Sequence, residues 1–341
     1  MNDTYKIKLS FIKGLKEIVL KEIAEKTNFQ VLDVQDECVY LIFDVNFQKL
    51  LILRSVNYIS LVIDNKNLNP LYLSNRKSIL KDMIDIVLNK KLDKFSKFKI
   101  SCAGSISPEV RSIVRYIEQE YKMTENVDAD LKIAIAKIGD EWEVSVQISK
   151  RPISVRNYKV GNMAGAMDPT VAFALNEYCE LKDKKTYLNA FSGSGTLLIE
   201  AGLAYHNLEN MIGFDNNKKH LSLSYRNINQ AGLIKRINLK EENIYNQPDL
   251  GKFDVIVADL PFGMVISKSE DLGNLYKSFL EYSMKFLNQD GVLGVYTSEH
   301  KLFKSVMDFS KWEIVKEVEL KLVTSVDSYL YPKIMILKKK G

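Results

Sequence analysis

The chain carries the sequence YLNAFSGSGT at residues 187–196, a short apolar run followed by a glycine-containing turn. A buried parallel strand has this composition where it delivers its last residues to a cleft. Gly193 and Gly195 allow the backbone to approach a ligand closely. The apolar residues 197–201 then predict a helix whose free N–H groups point back at that ligand. We therefore expect a strand, a tight turn and a helix that together bind a ligand.

A second strand ends in a carboxylate, since residues 211–215 have the sequence MIGFD. An acid about twenty residues after a glycine turn holds ribose hydroxyls in α/β folds, which makes Asp215 a candidate ligand. Three rival motifs do not match the sequence of this turn. The dinucleotide fingerprint needs glycine where Leu198 stands, a P-loop needs Gly-Lys-Ser/Thr, and a nucleophile elbow needs glycine at 192 and 196. The turn therefore favours a cofactor without a pyrophosphate group.

A second apolar run that ends in a turn, VIVADLPFG, occupies residues 255–263. An acid (Asp259), the carbonyl of the residue before proline (Leu260) and an aromatic ring (Phe262) follow one another almost directly. This order resembles the (Asp/Asn)-Pro-Pro-(aromatic) motif of S-adenosylmethionine-dependent methyltransferases that act on amino groups. Together with residues 191–196, it resembles the catalytic domain of the THUMP-domain tRNA guanine-N2 methyltransferases.

The resemblance implies a role for each residue of this second stretch. Asp259 and the Leu260 carbonyl would accept the two N–H bonds of an exocyclic amine, which frees the nitrogen lone pair to attack a sulfonium methyl group. Pro261 would fix the turn, Phe262 would stack on the base, and Gly263 would let the chain leave without collision. The usual motif has proline where this chain has Leu260. The carbonyl is retained, and the following proline favours extended geometry at residue 260.

The resemblance also implies S-adenosylmethionine as the cofactor. The glycine turn would hold its methionine part, Asp215 its ribose, and an acidic turn after the third strand its adenine amino group. A helix start of the form Asp-Pro-Thr at 168–170 would lie over the methionine end. The candidate cofactor-binding residues are Thr170, Phe191, Ser192, Gly193, Ser194, Gly195, Asp215, Asn216, Glu242, Asn243 and Asp259.

Strands and helices alternate from Thr186 onward, which predicts a parallel sheet covered on both faces. The last two strands, 313–323 and 328–338, follow one another without a helix, as expected for a methyltransferase whose last strand returns antiparallel in a hairpin. We expect an α/β fold with a C-terminal Rossmann-like methyltransferase sheet over 161–341. The other strands are expected near 186–191, 211–215, 236–240, 253–258 and 290–296, and helices near 196–205, 217–231 and 272–287.

The N-terminal half predicts two α+β regions, a ferredoxin-like region over 1–65 and a THUMP-like RNA-binding domain with its linker over 66–160. In the first region, strands are expected at 6–11 and 39–43 and helices at 14–23 and 46–56. In the second, helices are expected at 78–88 and 108–120, and strands at 99–103, 129–136 and 141–148, the last two joined by a hairpin turn at 137–140.

Two basic segments are candidate RNA contacts. Residues 89–99 interleave lysines with aromatic residues, and a solvated loop explains them as well as an RNA contact does. Residues 149–160 contain four cations, Lys150, Arg151, Arg156 and Lys159, which suit phosphate contacts but equally an exposed linker. The resemblance implies tRNA as the partner, with guanosine at position 6 of the acceptor stem turned out of its helix.

Composition narrows the class of protein only modestly. The 341 residues carry a formal charge of +5, which permits a nucleic-acid partner without requiring one. Three distant cysteines and three scattered histidines indicate reduced thiols and no metal site. Without an apolar signal core or a bilayer-length apolar run, we expect a cytoplasmic protein. We also expect a monomer. Two alternatives stay open: a catalytically inactive THUMP-type RNA-binding protein, and an N6-adenine nucleic-acid methyltransferase with the same four-residue chemistry.

Overall fold

The computed structural model describes residues 4–44, 47–65, 77–89, 94–102, 106–262, 269–325 and 327–341. The chain forms two compact units. The first comprises Met1–Phe11 and Val19–Ser154, and the second comprises Ile12–Ile18 and Val155–Gly341. Among the described residues, no helix is both long and apolar enough to cross a membrane. The three cysteines are free.

The first unit is an eight-stranded sheet in the order β2-β3-β1-β4-β8-β7-β5-β6. Its strands are β1 (Thr4–Ser10), β2 (Gln30–Val34), β3 (Cys38–Asp44), β4 (Tyr58–Asn65), β5 (Lys97–Cys102), β6 (Thr124–Glu125), β7 (Leu131–Ile138) and β8 (Glu141–Gln147). The helices of this part of the chain are α1 (Lys16–Lys26), α2 (Lys77–Asn89) and α3 (Pro108–Tyr121). The predicted hairpin is confirmed, because β7 and β8 pair antiparallel around Gly139, whose φ is +60°.

The two predicted N-terminal regions share this one sheet. Strands β4 and β8 pair antiparallel from Ser60↔Gln147 to Asn65↔Trp142, which joins β1–β4 to β5–β8. Their division into two domains at residue 65 therefore stays a prediction. The larger segment of the second compact unit begins at Val155, six residues before the predicted start at 161. The sequence PLYLSNR at 70–76, which also predicts a break after the first region, and residues 90–93 of the basic segment lie outside the described residues.

One helix predicted in the first unit is wrong, and three of its strands were not predicted. The helix expected over 46–56 is wrong, since among the described residues of that range only Phe47–Leu50 form a single 3-10 turn. The buried Glu22 carboxylate accepts the backbone N–H groups of Arg54 and Ser55 at 2.8 and 2.9 Å, which removes them from a helical ladder. Strand β2 gave no alternating signal because all of its side chains are exposed. Strands β4 and β6 were also not predicted.

The second unit is a seven-stranded sheet in the order β11-β10-β9-β12-β13-β17-β14. Its strands are β9 (Thr186–Ala190), β10 (Asn210–Asp215), β11 (Ile237–Glu241), β12 (Phe253–Asp259), β13 (Leu287–Thr297), β14 (Trp312–Glu319) and β17 (Lys333–Lys339), with a separate hairpin of β15 (Leu322–Ser325) and β16 (Ser328–Leu330). The helices are α4 (Pro169–Tyr178), α5 (Thr196–Ala204), α6 (Lys218–Gln230), α7 (Ser269–Phe286) and α8 (His300–Val306).

The Rossmann-like prediction is confirmed for this unit. Strands β9 to β13 run parallel, and β17 runs antiparallel to both β13 and β14. The terminal strands are shorter than expected, because the separate β15–β16 hairpin interrupts the predicted runs 313–323 and 328–338. Helix α8 was not predicted. The parallel strands end at Ala190, Asp215, Glu241, Asp259 and Thr297, and carboxyl ends of parallel strands meet at one edge of a sheet, where such folds bind ligands.

Candidate active site

The glycine turn leaves β9 with its backbone in the left-handed region at three residues. The φ angles are +56° at Phe191, +51° at Gly193 and +79° at Gly195. A Cβ atom at Gly195 would lie 2.4 Å from Ser224 Oγ, so both the angle and the close packing of α6 require glycine there. Helix α5 begins directly afterwards, with Gly195 as its N-cap. The strand, turn and helix predicted from residues 187–201 are therefore present.

The Asp215 carboxylate connects the end of β10 to this turn. Its Oδ2 accepts the Gly193 N–H at 2.9 Å, and its Oδ1 accepts the Asn217 N–H at 2.9 Å. The Nδ1 atom of His220, in the first turn of α6, lies 3.3 Å from Oδ1. A carboxylate oxygen can accept two hydrogen bonds, so Oδ2 keeps a lone pair for a ligand hydroxyl.

The Asp-Leu-Pro-Phe turn, residues 259–262, begins at the last residue of β12 at the same edge of the sheet, and we call it the catalytic turn after its predicted role. The side chain of Leu260 is buried, and its N–H donates to the Tyr296 carbonyl of β13 at 3.0 Å. The Pro261 carbonyl accepts from the Tyr276 hydroxyl at 2.8 Å. The ring centroids of Phe262 and Tyr296 are 5.8 Å apart. Gly263 lies outside the described residues, so its role stays a prediction.

The charge of the catalytic turn depends on two ionisable groups. Burial raises the pKa of Asp259 to about 7, although the positive charge of Lys159 acts to lower it. Burial likewise lowers the pKa of Lys159, against the opposing effect of carboxylates that include Asp168 and Glu200. A carboxyl with a pKa near neutrality is common in catalytic sites and uncommon on ordinary surfaces.

A cavity of about 230 Å³ lies between the two turns. Its lining comprises residues 163–167, 191–194 and 259–262, with Asn189, Thr196, Leu197, Asp215 and His220. All four predicted catalytic residues thus share one cavity with Asp215 and most of the glycine turn. Among the lining that the sequence did not predict, three features have only weak local signals: an Ala/Gly-rich segment between two methionines, a polar residue in an apolar strand, and a histidine five residues after a strand-end acid.

Five predicted cofactor ligands lie outside this lining. Gly195 caps α5, Asn216 is exposed, and the Asn243 side chain accepts the Tyr245 N–H at 3.1 Å. The Thr170 hydroxyl donates to Asp168 Oδ1 at 2.6 Å within a helix start that Asp168 caps as predicted. The Glu242 N–H donates to the Asp215 carbonyl at 3.2 Å. Direct cofactor contacts by these five residues stay predictions.

The four cations proposed to contact RNA divide into two pairs. Lys150 is half-buried and lies 3.2 Å from Asp130, and Arg151 is exposed. Arg156 and Lys159 instead have inward contacts within the second unit, and RNA contacts by the four cations stay predictions. Arg156 Nε donates to the fully buried Glu200 at 3.2 Å, and Lys159 Nζ donates to the Met167 carbonyl at 3.1 Å. These two bonds hold residues 156–167 against the cavity.

The fold and the site together define a Rossmann-like methyltransferase domain, because the parallel sheet with an antiparallel end carries a glycine turn, a strand-end acid and an Asp-Leu-Pro-Phe turn around one cavity. Residues 156–326 match the family model described as UPF0020: RMKL-like, methyltransferase domain. The chain belongs to this family. Among the described residues, no group of three or more histidine, cysteine or acidic side chains could hold a metal ion.

Characterised relatives resemble part of the chain. It is 23% identical over 208 residues to a tRNA (guanine(6)-N2)-methyltransferase of Archaeoglobus fulgidus, with 54% of this chain and 50% of the relative covered. It is 26% identical over 206 residues to the Thermus thermophilus tRNA (guanine(6)-N2)-methyltransferase, with 59% and 60% covered. Each match thus spans less than two-thirds of the relative.

A solved structure resembles the whole chain in its fold. The crystal structure of TrmN from Thermus thermophilus has a TM-score of 0.79 at 20% identity, and the alignment covers 99% of this chain and 100% of that one. At this identity the likeness concerns the fold.

The cofactor of the domain is S-adenosylmethionine, and the cavity residues fit it. Asn189 Oδ1 and Ser192 Oγ are buried in the lining without a hydrogen-bond partner among the described residues. A buried polar atom without a partner costs free energy, so both atoms favour a polar ligand such as the amino-acid part of this cofactor. Asp215 offers its remaining lone pair to the ribose hydroxyls.

Proposed function

We propose that this protein transfers a methyl group to the exocyclic N2 of guanosine in tRNA, at position 6 of the acceptor stem. The observation that carries the proposal is the shared cavity, which brings the Asp259–Phe262 turn to the glycine turn and Asp215. The substrate is suggested by the names of the two tRNA (guanine(6)-N2)-methyltransferases to which the chain is similar. A cytoplasmic, monomeric protein that binds tRNA is part of the same proposal.

The catalytic turn offers the two acceptors that an aromatic amine needs. The amine lone pair is delocalised into the base, and acceptors on both N–H bonds draw the nitrogen toward tetrahedral geometry. The Asp259 carboxylate would accept one N–H and the Leu260 carbonyl the other. When bound, S-adenosylmethionine supplies an electrophilic methyl group on sulfur. Asp259 and the Leu260 carbonyl would hold the amine with its lone pair free to face that methyl group, and Asp259 or solvent would take the proton that the amine loses.

Positioning and electrostatics would supply most of the rate enhancement, with no covalent intermediate on the protein. Asp259 accepts a hydrogen bond most strongly when it is ionised, and its pKa of about 7 leaves it partly protonated in neutral solution. The Lys159 charge favours the ionised form. Phe262, held near Tyr296, would stack on a base that has been turned out of its stem.

Mass spectrometry of nucleosides tests the proposal directly. Unmodified tRNA is incubated with the protein and S-adenosylmethionine and then digested, and N2-methylguanosine is the expected product. Asp259→Ala should abolish it. N6-methyladenosine would favour the adenine methyltransferase instead. Salt-dependent tRNA binding without methylation of any RNA would favour the inactive RNA-binding protein.

A further inference from the structure

The Leu260 carbonyl lies between two peptide groups that are each hydrogen-bonded to a neighbouring element. On its N-terminal side, the Leu260 N–H donates to the Tyr296 carbonyl of β13 at 3.0 Å. On its C-terminal side, the Pro261 carbonyl accepts from the Tyr276 hydroxyl of α7 at 2.8 Å. The peptide group of the Leu260 carbonyl connects these two points, so their positions restrict its orientation.

The second of these bonds belongs to a chain of hydroxyl groups with a defined direction. Tyr276 Oη also lies 3.1 Å from Thr297 Oγ1, which in turn accepts the Glu299 N–H at 3.0 Å. A backbone N–H can only donate and a carbonyl can only accept. With the two ends fixed in this way, Thr297 donates to Tyr276, and Tyr276 donates to Pro261.

The chain of hydroxyls is rigidly packed. Tyr276 and Thr297 are fully buried, and the ring of Phe303 meets the edge of the Tyr276 ring at 5.8 Å. Burial raises the pKa of Tyr276 to about 12, so its hydroxyl keeps the proton that it donates. A donor already in place does not have to be reorganised during the reaction.

We propose that Tyr276 is a positioning residue that directs the Leu260 carbonyl toward the substrate amine. A proline at 260 would restrict φ by its ring, whereas Leu260 lacks that restriction. In this chain, two hydrogen bonds restrict the turn instead: the Leu260 N–H donates to the Tyr296 carbonyl, and the Tyr276 hydroxyl donates to the Pro261 carbonyl. This inference rests on the proposed function, since it concerns the second acceptor of the amine.

The chain offers a matched control on the same helix. Tyr282 is also fully buried in α7, but its hydroxyl has no hydrogen-bond partner among the described residues. Tyr276→Phe and Tyr282→Phe therefore remove the same atom from similar surroundings, and only the first removes a bond to the catalytic turn. Single-turnover methyl transfer to tRNA and titration of each protein with S-adenosylmethionine separate chemistry from cofactor binding.

Tyr276→Phe should lower the rate of methyl transfer about tenfold, as expected for one neutral hydrogen bond, while the Kd for S-adenosylmethionine stays within about twofold. Tyr282→Phe should change neither. Equal rates for the two variants would overturn the inference, and so would a parallel loss of cofactor binding in Tyr276→Phe, which indicates a collapsed site. If the first variant fails to fold, Thr297→Val should slow transfer while Thr297→Ser, which keeps the hydroxyl, should not; equal effects would again overturn it.

Failure of the proposed function gives a different result. A wild-type protein that methylates no RNA refutes the function, and the positioning role falls with it. A wild-type protein that forms N2-methylguanosine, with Tyr276→Phe as fast as Tyr282→Phe, refutes the positioning role alone.

Discussion

The two turns that meet at the cavity are held in shape by different means. The glycine turn depends on its own backbone, with left-handed φ angles at Phe191, Gly193 and Gly195. The catalytic turn depends on partners far away in sequence, since Tyr276 and Tyr296 supply the bonds on either side of the Leu260 carbonyl. Substitutions within the glycine turn should therefore disrupt its conformation. The conformation of the catalytic turn should be disrupted by substitutions outside it as well. The turns should also separate two functions, cofactor binding and chemistry.

The strongest test of this separation removes the reactive group. Asp259→Ala should reduce methyl transfer by at least about a thousandfold, because the carboxylate is one of the two acceptors of the amine and acts in a water-poor site. The Kd for S-adenosylmethionine should change by less than about fivefold, because the glycine turn and Asp215 remain. Isothermal titration and radiolabel transfer measure the two quantities. A loss of cofactor binding as large as the loss of transfer would contradict the separation.

Gly195→Ala is expected to act mainly on cofactor binding, the reverse of Asp259→Ala. A left-handed φ of +79° and a Cβ atom 2.4 Å from Ser224 Oγ should weaken cofactor binding more than about tenfold and destabilise the fold by about 1–3 kcal/mol. The control is Gly232→Ala, where φ is +73° but a Cβ would meet nothing within 4 Å. Thermal unfolding and cofactor titration should show a smaller loss of stability and normal binding for the control. Equal effects would show that the close packing of the turn is irrelevant.

The pH profile separates the electrostatics of the catalytic turn from its geometry. Below pH 7 Asp259 is mostly protonated, which makes it a weaker acceptor for the amine N–H and unable to take the amine proton. The single-turnover rate should therefore rise about tenfold per pH unit and level off above about pH 7. Lys159→Gln removes a charge that lowers this pKa, so the midpoint should move to higher pH. Lys185→Gln, an exposed lysine paired with Glu209, is the control and should leave the midpoint in place. A profile that is flat from pH 5 to 9 would exclude Asp259 as the titrating group.

The smallest effect should come from the outer end of the hydroxyl chain. Thr297→Val removes the donor to Tyr276 but leaves the Tyr276–Pro261 bond possible, so methyl transfer should fall by about twofold to fourfold. Combined with Tyr276→Phe, it should add almost nothing, since coupled residues are not additive. Fully multiplicative rates in the double variant would show that the two hydroxyls act independently.

The same contrast explains what the sequence could predict. The glycine turn and Asp215 are encoded locally, in apolar runs that end in glycine or acid, and the parallel sheet follows from the alternation of those runs. Tyr276 and Thr297 carry no local signal, because an aromatic residue in a helix and a threonine ending a strand usually belong to the core. The inward orientation of Arg156 depends on Glu200, a buried carboxylate in a helix that is otherwise apolar. Such long-range pairs become visible only after the chain has folded.

The hydrogen bond of the Leu260 N–H bears on the substitution of Leu260 by proline. Leu260→Pro would restore the usual motif on paper, yet it would delete the strand-to-strand bond to Tyr296 and remove a side chain that is buried in the core. The geometry of residue 260 depends on its neighbours, so the usual motif with proline at this position is a poor guide to improving the protein. Any engineering of residue 260 would have to change the residues around it at the same time.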